Sequence, residues 1–236
     1  MYFPEIEWFF GALFLYSISY LIVDYESKSN DSYTILSLDR KNYYKKNIVK
    51  SVALTAISIY GSFILFNGFV FNRWNNIEMY RVGYLYSALD VLGLVKVKNL
   101  PNNSRIHHIT TFILSYINTL IDYSNPSFWV GLPVYCILSC YACGVNYFLG
   151  TRLLKPLSEL INLIKINIIS YSFLLGINWI YQIYNVYKNF ENSGYDMYIY
   201  IGLLLFVAND DVKLVKFLMH QLKKARKDEL EYVRNL

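Results

Sequence analysis

The sequence predicts an all-α fold, a multi-pass transmembrane helical bundle of about seven spans. Three observations point there. Of 236 residues, 55% are hydrophobic and only 17% are charged, and the mean hydropathy is positive, a balance foreign to a water-soluble domain of this size. Seven apolar runs cross or nearly cross a bilayer: 8–23, 51–71, 80–95, 106–121, 128–149, 166–187 and 197–208. Basic residues gather on one side of these runs. Segments 24–50, 96–105, 151–165 and 209–236 hold 6, 3, 3 and 7 Lys or Arg, which is 19 of the 22 in the chain.

Taken in order, run 8–23 has no basic leader and no small-residue cleavage site, so it reads as a span rather than a signal peptide. Run 51–71 is long enough to cross alone. Runs 80–95 and 106–121 are shorter than the roughly 20 residues of a full span, as are the first and the seventh, and they need tilting, polar ends or thinned lipid. Run 128–149 holds all three cysteines, Cys136, Cys140 and Cys143, on one helical stripe. Small packing residues in a membrane helix are the expected reading rather than a disulfide or a metal site. Run 166–187 is a full span, and 197–208 continues into an amphipathic basic helix.

The charge asymmetry is the positive-inside pattern. It puts the four basic segments in the cytosol, the N-terminus on the lumenal side and the C-terminus in the cytosol. The net charge of +5 therefore implies an anionic leaflet and no nucleic-acid partner. The glycosylation sequons at Asn30 and Asn102 fall on the cytosolic side. Lys227–Leu230 spells KDEL but is neither C-terminal nor lumenal, so it is no retrieval signal.

Polar residues run along single faces inside several spans. His107, Thr111, Ser115, Asn118 and Asp122 recur at steps of three and four, as do Tyr80, Gly83, Ser87 and Asp90. Tyr135, Ser139, Cys143 and Asn146 form a third stripe, and Tyr171, Asn178, Gln182 and Asn185 a fourth. Lipid cannot satisfy such faces, so they meet either protein or a hydrated cavity. Six helices around a polar-lined pocket is one arrangement that serves. Interhelical hydrogen bonds at about 1 kcal/mol each are the alternative. Ser87, Thr111, Ser115, Asn118, Ser139, Asn146 and Asn178 are the candidate lining of a lipid pocket.

Asp90 and His107 stand apart from the other stripe residues. Asp90 precedes Lys96 by about 9 Å of helix and His107 follows Arg105 by about 3 Å, so both sit near the cytosolic ends of adjacent antiparallel helices. A carboxylate beside an imidazole fixes its tautomer and stabilises its cation, which suits a general acid or base. A structural Asp–His bond is the competing reading. On helical geometry His108 lies about 100° from the stripe, toward Phe112, which makes His107 the more important ring. Serine-nucleophile, phosphate-loop and HExxH signatures are missing, and His220 falls on the amphipathic C-terminal helix.

"KKNIVKSVALTAISIYG", "YLYSALDVLGLV", "RIHHITTFIL" and "NYFLGTRLL", in that order, resemble the TLC-domain family, which includes ceramide synthases, translocating-chain-associated proteins and small lipid-homeostasis proteins. The resemblance spans about residues 45–225. It implies a division into 1–44 (an N-terminal span and basic loop), a TLC-like domain at 45–225 and a cytosolic tail at 226–236. It further implies an endoplasmic-reticulum protein that binds lipid or fatty acyl chains and acts in lipid metabolism, with no cofactor. For a ceramide-synthase-like member it implies N-acyl transfer from acyl-CoA to a sphingoid base, with His107, His108 and Asp90 as the catalytic group. Those enzymes carry an acidic motif on the helix after the double histidine. Here "FWVGLPVYCILSCYACGVNYFL" has no acidic residue, so the layout is nearer to the smaller members. A membrane chaperone or cargo adaptor is a third expectation.

Overall fold

A computed structural model describes residues 5–124 and 127–234, and every regular element among them is helical. The α-helices are α1 (Ile6–Ser27), α2 (Asp31–Thr34), α3 (Leu38–Phe71), α4 (Asn76–Lys96), α5 (Asn102–Asn118), α6 (Gly131–Cys140), α7 (Cys143–Thr151), α8 (Ile161–Asn189) and α9 (Asp196–Arg234). Short polar side chains start several of them. Asn30 accepts from the Tyr33 amide, Ser37 from Arg40, and Asn75 from both Ile77 and Glu78, each satisfying donors the first turn leaves open. Asn72 ends α3 in the left-handed region at φ 50°, a conformation Asn tolerates better than most residues.

Helix α3 is the hub, packed against α1, α4, α6 and α7. Helix α4 is sandwiched between α1 and α5, and α8 joins α9 to α6 and α7. Ile57, Ile64, Val82, Leu89, Val134 and Ile137 form the centre of the main core. The outward faces are also apolar: Phe63, Phe66, Ile169, Phe173, Ile180 and Ile183 are all exposed. Surfaces of that character belong in lipid. Three helical segments, Ile6–Ser27, Leu38–Phe71 and Leu157–Asn189, are long and apolar enough to cross a membrane, or four if the bent pair Phe128–Cys140 and Cys143–Thr151 is one span.

Three expectations about the elements are corrected. The basic segment before the second run is not all loop, because α3 begins at Leu38 and carries Lys45, Lys46 and Lys50 into the bundle as buried residues. The boundary drawn at 44/45 thus falls inside a helix. The fifth run is broken by a 42° bend between α6 and α7, so Cys143 leaves the stripe of Cys136 and Cys140. Side chains take over backbone acceptors at the bend: Ser51 donates to the Cys143 carbonyl at 2.9 Å and Asn167 to that of Gly144 at 3.0 Å. Gly144 permits this, because a methyl there would collide with Asn167 Oδ1. Lastly, α5 stops at Asn118, so Asp122 lies outside the stripe and its carboxylate accepts from Asn76 and Ser124.

The far end of the bundle is tied by amides. Gln182 donates to the Gly131 carbonyl at 3.0 Å and Asn185 to that of Phe128 at 2.7 Å, while the Tyr200 hydroxyl donates to Gln182. These bonds satisfy buried carbonyls where α6 starts. At the other end, Tyr33 of α2 donates to Asp24 at 2.5 Å and Lys45 reaches the same carboxylate oxygen at 2.9 Å. Burial first, and then the Asp24 carboxylate, push the Tyr33 phenol above its usual range and keep it a donor.

Candidate functional site around Asp90

Asp90 of α4 is fully buried, and α3 and α5 converge on it. From α3, Lys50 Nζ lies 2.5 Å from Oδ1. From α5, His108 Nδ1 lies 2.8 Å from the same oxygen, although the angle is bent away from a straight hydrogen bond. Lys46 stands one turn before Lys50 on the same face of α3 and meets His108 Nε2 at 2.9 Å. An ammonium can only donate, so Nε2 supplies a lone pair and the ring proton sits on Nδ1, facing Asp90. Lys46–His108–Asp90–Lys50 is a buried chain of polar contacts with an ammonium at each end.

His107 faces the other way and keeps 26% of its side-chain surface exposed. Its Nδ1 lies 3.0 Å from Asp210 Oδ2 on α9, and its Nε2 lies 4.0 Å from Asp90 Oδ2. That oxygen is buried and accepts no hydrogen bond in the protein. Four ångströms is too long for a direct bond, yet a small proton-bearing group placed between the two atoms could meet both.

Three cavities meet at His107. One of about 80 Å³ is almost wholly apolar and runs between α5, α6 and α9, past Thr111, Leu114, Cys136 and Leu203. A second of about 160 Å³ is lined by Lys46, Lys50, Ser104, His108, Asn146 and Asp210. The third, about 130 Å³, adds Tyr135, Ser139, Tyr171 and Asp211. Asp211 is held by the hydroxyls of Tyr135 at 2.9 Å and Tyr171 at 2.7 Å, and by the Trp179 indole at 3.3 Å. These donors fix the register of α9 against α6 and α8, and so place Asp210 on His107.

Asp90, His107 and His108 therefore come together as the sequence implies, but with the rings' roles redistributed. His108, placed toward Phe112 by an ideal helical wheel, is the ring packed on Asp90, because α5 is rotated to present it to α3 and α4. Thr111, Ser115 and Asn118 do line the apolar cavity. Their hydrogen bonds point elsewhere: Thr111 donates to His107 O, Ser115 to Phe112 O and Asn118 to Met79 O. Ser139 and Asn146 border the junction. Two candidates lie elsewhere. Ser87 is fully buried and donates to the Tyr84 carbonyl, away from all three cavities. Asn178 is buried and accepts from Gln182 at 3.1 Å, so it serves the far-end amide network and touches only a 10 Å³ gap beside Asp211.

Lys46, Lys50, Asp210 and Asp211 escaped the sequence reading. Each left a signal. Lys46 and Lys50 are four residues apart at the mouth of an apolar run, and Asp210–Asp211 is an acidic pair at the apolar end of a basic segment.

One donor atom each from Asp90, His107 and His108 lies within 4.8 Å of the others, a spacing that could hold a cation. Lys50 already occupies Asp90 Oδ1 and Lys46 occupies His108 Nε2, so of this set only Asp90 Oδ2 and His107 Nε2 offer open lone pairs. The donor set fits proton and anion chemistry better than metal chemistry. Comparison with protein-family models, curated proteins and solved structures gives no match.

Proposed function

We propose that this chain is a TLC-like membrane protein of seven spans that holds a lipid acyl chain in the apolar cavity, with the polar end at His107, and acts in lipid metabolism in the endoplasmic reticulum. One observation carries the reading: the apolar cavity and the charged cavity share His107 as a common wall. An amphiphile needs that pairing, an apolar slot ending on a few convergent polar groups. The four segments too polar or short to stand as spans alone cross with their polar faces turned inward. Leu100, Pro101 and Ser104 line the charged cavity beside the basic loop, which supports a cytosolic mouth if that loop is cytosolic.

A second reading is N-acyl transfer, and the orphaned Asp90 Oδ2 facing His107 Nε2 favours it. Asp210 would hold the proton of His107 on Nδ1, leaving Nε2 free to take a proton from an attacking amine seated in the 4.0 Å gap as the amide bond forms, the thioester breaks and the CoA thiol leaves with a proton. Lys50 and His108 keep Asp90 charged and oriented.

Mass spectrometry of the protein released intact from detergent tests the main reading. A lipid adduct should survive in the parent, and Leu203→Trp, which fills the slot, should lose it. A parent with no adduct, or a variant that retains it, contradicts the proposal. The topology has its own test in a glycosylating host. Asn30 and Asn102 should both stay unmodified, and a glycan on either would reverse the orientation and put the charged cavity in the lumen.

A further inference from the structure

We propose that the charged cavity is a phosphate site, and that the amphiphile carries a phosphate group held by Lys46 and Arg152. This rests on the lipid-pocket reading above and names the head group that reading leaves open. The observation behind it is an uncompensated cation. Lys46 is 7% exposed, and among the described residues no carboxylate comes within 4.0 Å of its ammonium, whose hydrogen-bond partner is the uncharged edge of His108. The nearest acid, Asp90, is already shared by Lys50 and His108 on Oδ1, and Asp210 faces His107. Lys45, by contrast, has its own acid in Asp24. Buried charges are normally paired, so a lone ammonium lining an open cavity marks a place for an anion.

Arg152 is a second cation near this corner, outside the cavity lining itself, with its guanidinium 5.1 Å from the ring centre of Phe217. It follows the cavity-lining Leu149 by three residues, and its guanidinium lies 6.0 Å from the ring centre of Tyr43, another lining residue. Its Nε is buried and makes no hydrogen bond within the protein. The Ser104 and Tyr43 side chains border the same space. An ammonium with spare N–H bonds, a guanidinium and two hydroxyls suit the three outer oxygens of a phosphate better than the two of a carboxylate. Metal ligation does not compete for this corner, because Lys46 itself fills His108 Nε2.

Four probes on the full chain in detergent separate the possibilities: dioleoyl phosphatidic acid, dioleoylglycerol, oleate and inorganic phosphate. Phosphatidic acid should bind more tightly than dioleoylglycerol. Lys46→Met and Arg152→Gln should each weaken phosphatidic acid by about tenfold or more, with dioleoylglycerol unchanged. Lys46→Arg should restore much of the loss. Arg152→Gln, at a half-exposed position, keeps the test open if Lys46→Met does not fold. Phosphatidic acid binding untouched by Arg152→Gln and Lys46→Arg/Arg152→Gln would overturn the phosphate site while leaving the acyl pocket standing. Oleate binding as tightly as phosphatidic acid, with the same sensitivity, would replace phosphate by carboxylate and overturn it too. Inorganic phosphate matching phosphatidic acid would overturn the amphiphile as its carrier. Failure of all three lipids would instead remove the pocket reading on which the proposal stands.

Discussion

Lys50→Met should lower the stability of the purified protein by about 3–5 kcal/mol, read as a large fall in Tm in detergent. The substitution keeps the length and apolar stem of the side chain. What it removes is the ammonium 2.5 Å from a fully buried carboxylate, and it leaves Asp90 desolvated and facing two imidazoles and, among the described residues, no other cation within 4.0 Å. Asp90→Asn should cause a loss of the same order from the opposite side, stranding Lys50. The double variant Lys50→Met/Asp90→Leu removes both charges together and should recover most of the loss, since breaking a buried pair costs more than replacing it. A single Lys50→Met variant as stable as the parent would mean that the ammonium and carboxylate are not paired in the folded protein.

The two histidines should separate stability from chemistry. His108→Ala strips a partner from Lys46 and a neighbour from Asp90 in the buried chain, so it should lower Tm markedly. His107→Ala should leave Tm nearly unchanged, because that ring is partly exposed and borders cavities rather than core. Its effect belongs to function. If amide formation from acyl-CoA and a sphingoid base is measurable in the parent, loss of this base lowers it by about 10²–10⁴-fold. A parent with no turnover leaves the lipid-binding reading, and His107→Ala then weakens lipid retention alone. A His107→Ala protein that is destabilised but normal in lipid handling would make the ring structural.

Helical periodicity in the sequence makes much of this site legible. The all-α class followed from apolar run lengths, and Asp90 with the double histidine followed from ionisable residues misplaced in such runs. What escaped has a physical cause in each case. Counting charges assigns Lys46 and Lys50 to a cytosolic loop, yet their long stems let the ammonium groups reach back into the bundle once α3 extends to Leu38. An ideal helical wheel fixes relative angles on α5 but not its rotation against α3, so it could not tell which imidazole meets Asp90. The bend between α6 and α7 depends on Ser51 and Asn167, which are distant in sequence and visible only in contact. The polar stripe of α8 reads the same whether it lines a pocket or ties helices, and from Asn178 to Asn185 it ties helices.

The central claim is that lipid enters the bundle rather than only surrounding it. A photoreactive acyl chain, delivered in vesicles and mapped by peptide sequencing, measures that directly. Labelling should concentrate on Thr111, Leu114 and Leu203, which line the apolar cavity beside His107, above the background on the outward Ile113 and Phe173. Equal labelling of both faces, with no reduction by Leu203→Trp at the cavity-lining positions, would contradict the account and leave the polar stripes as interhelical bonds alone.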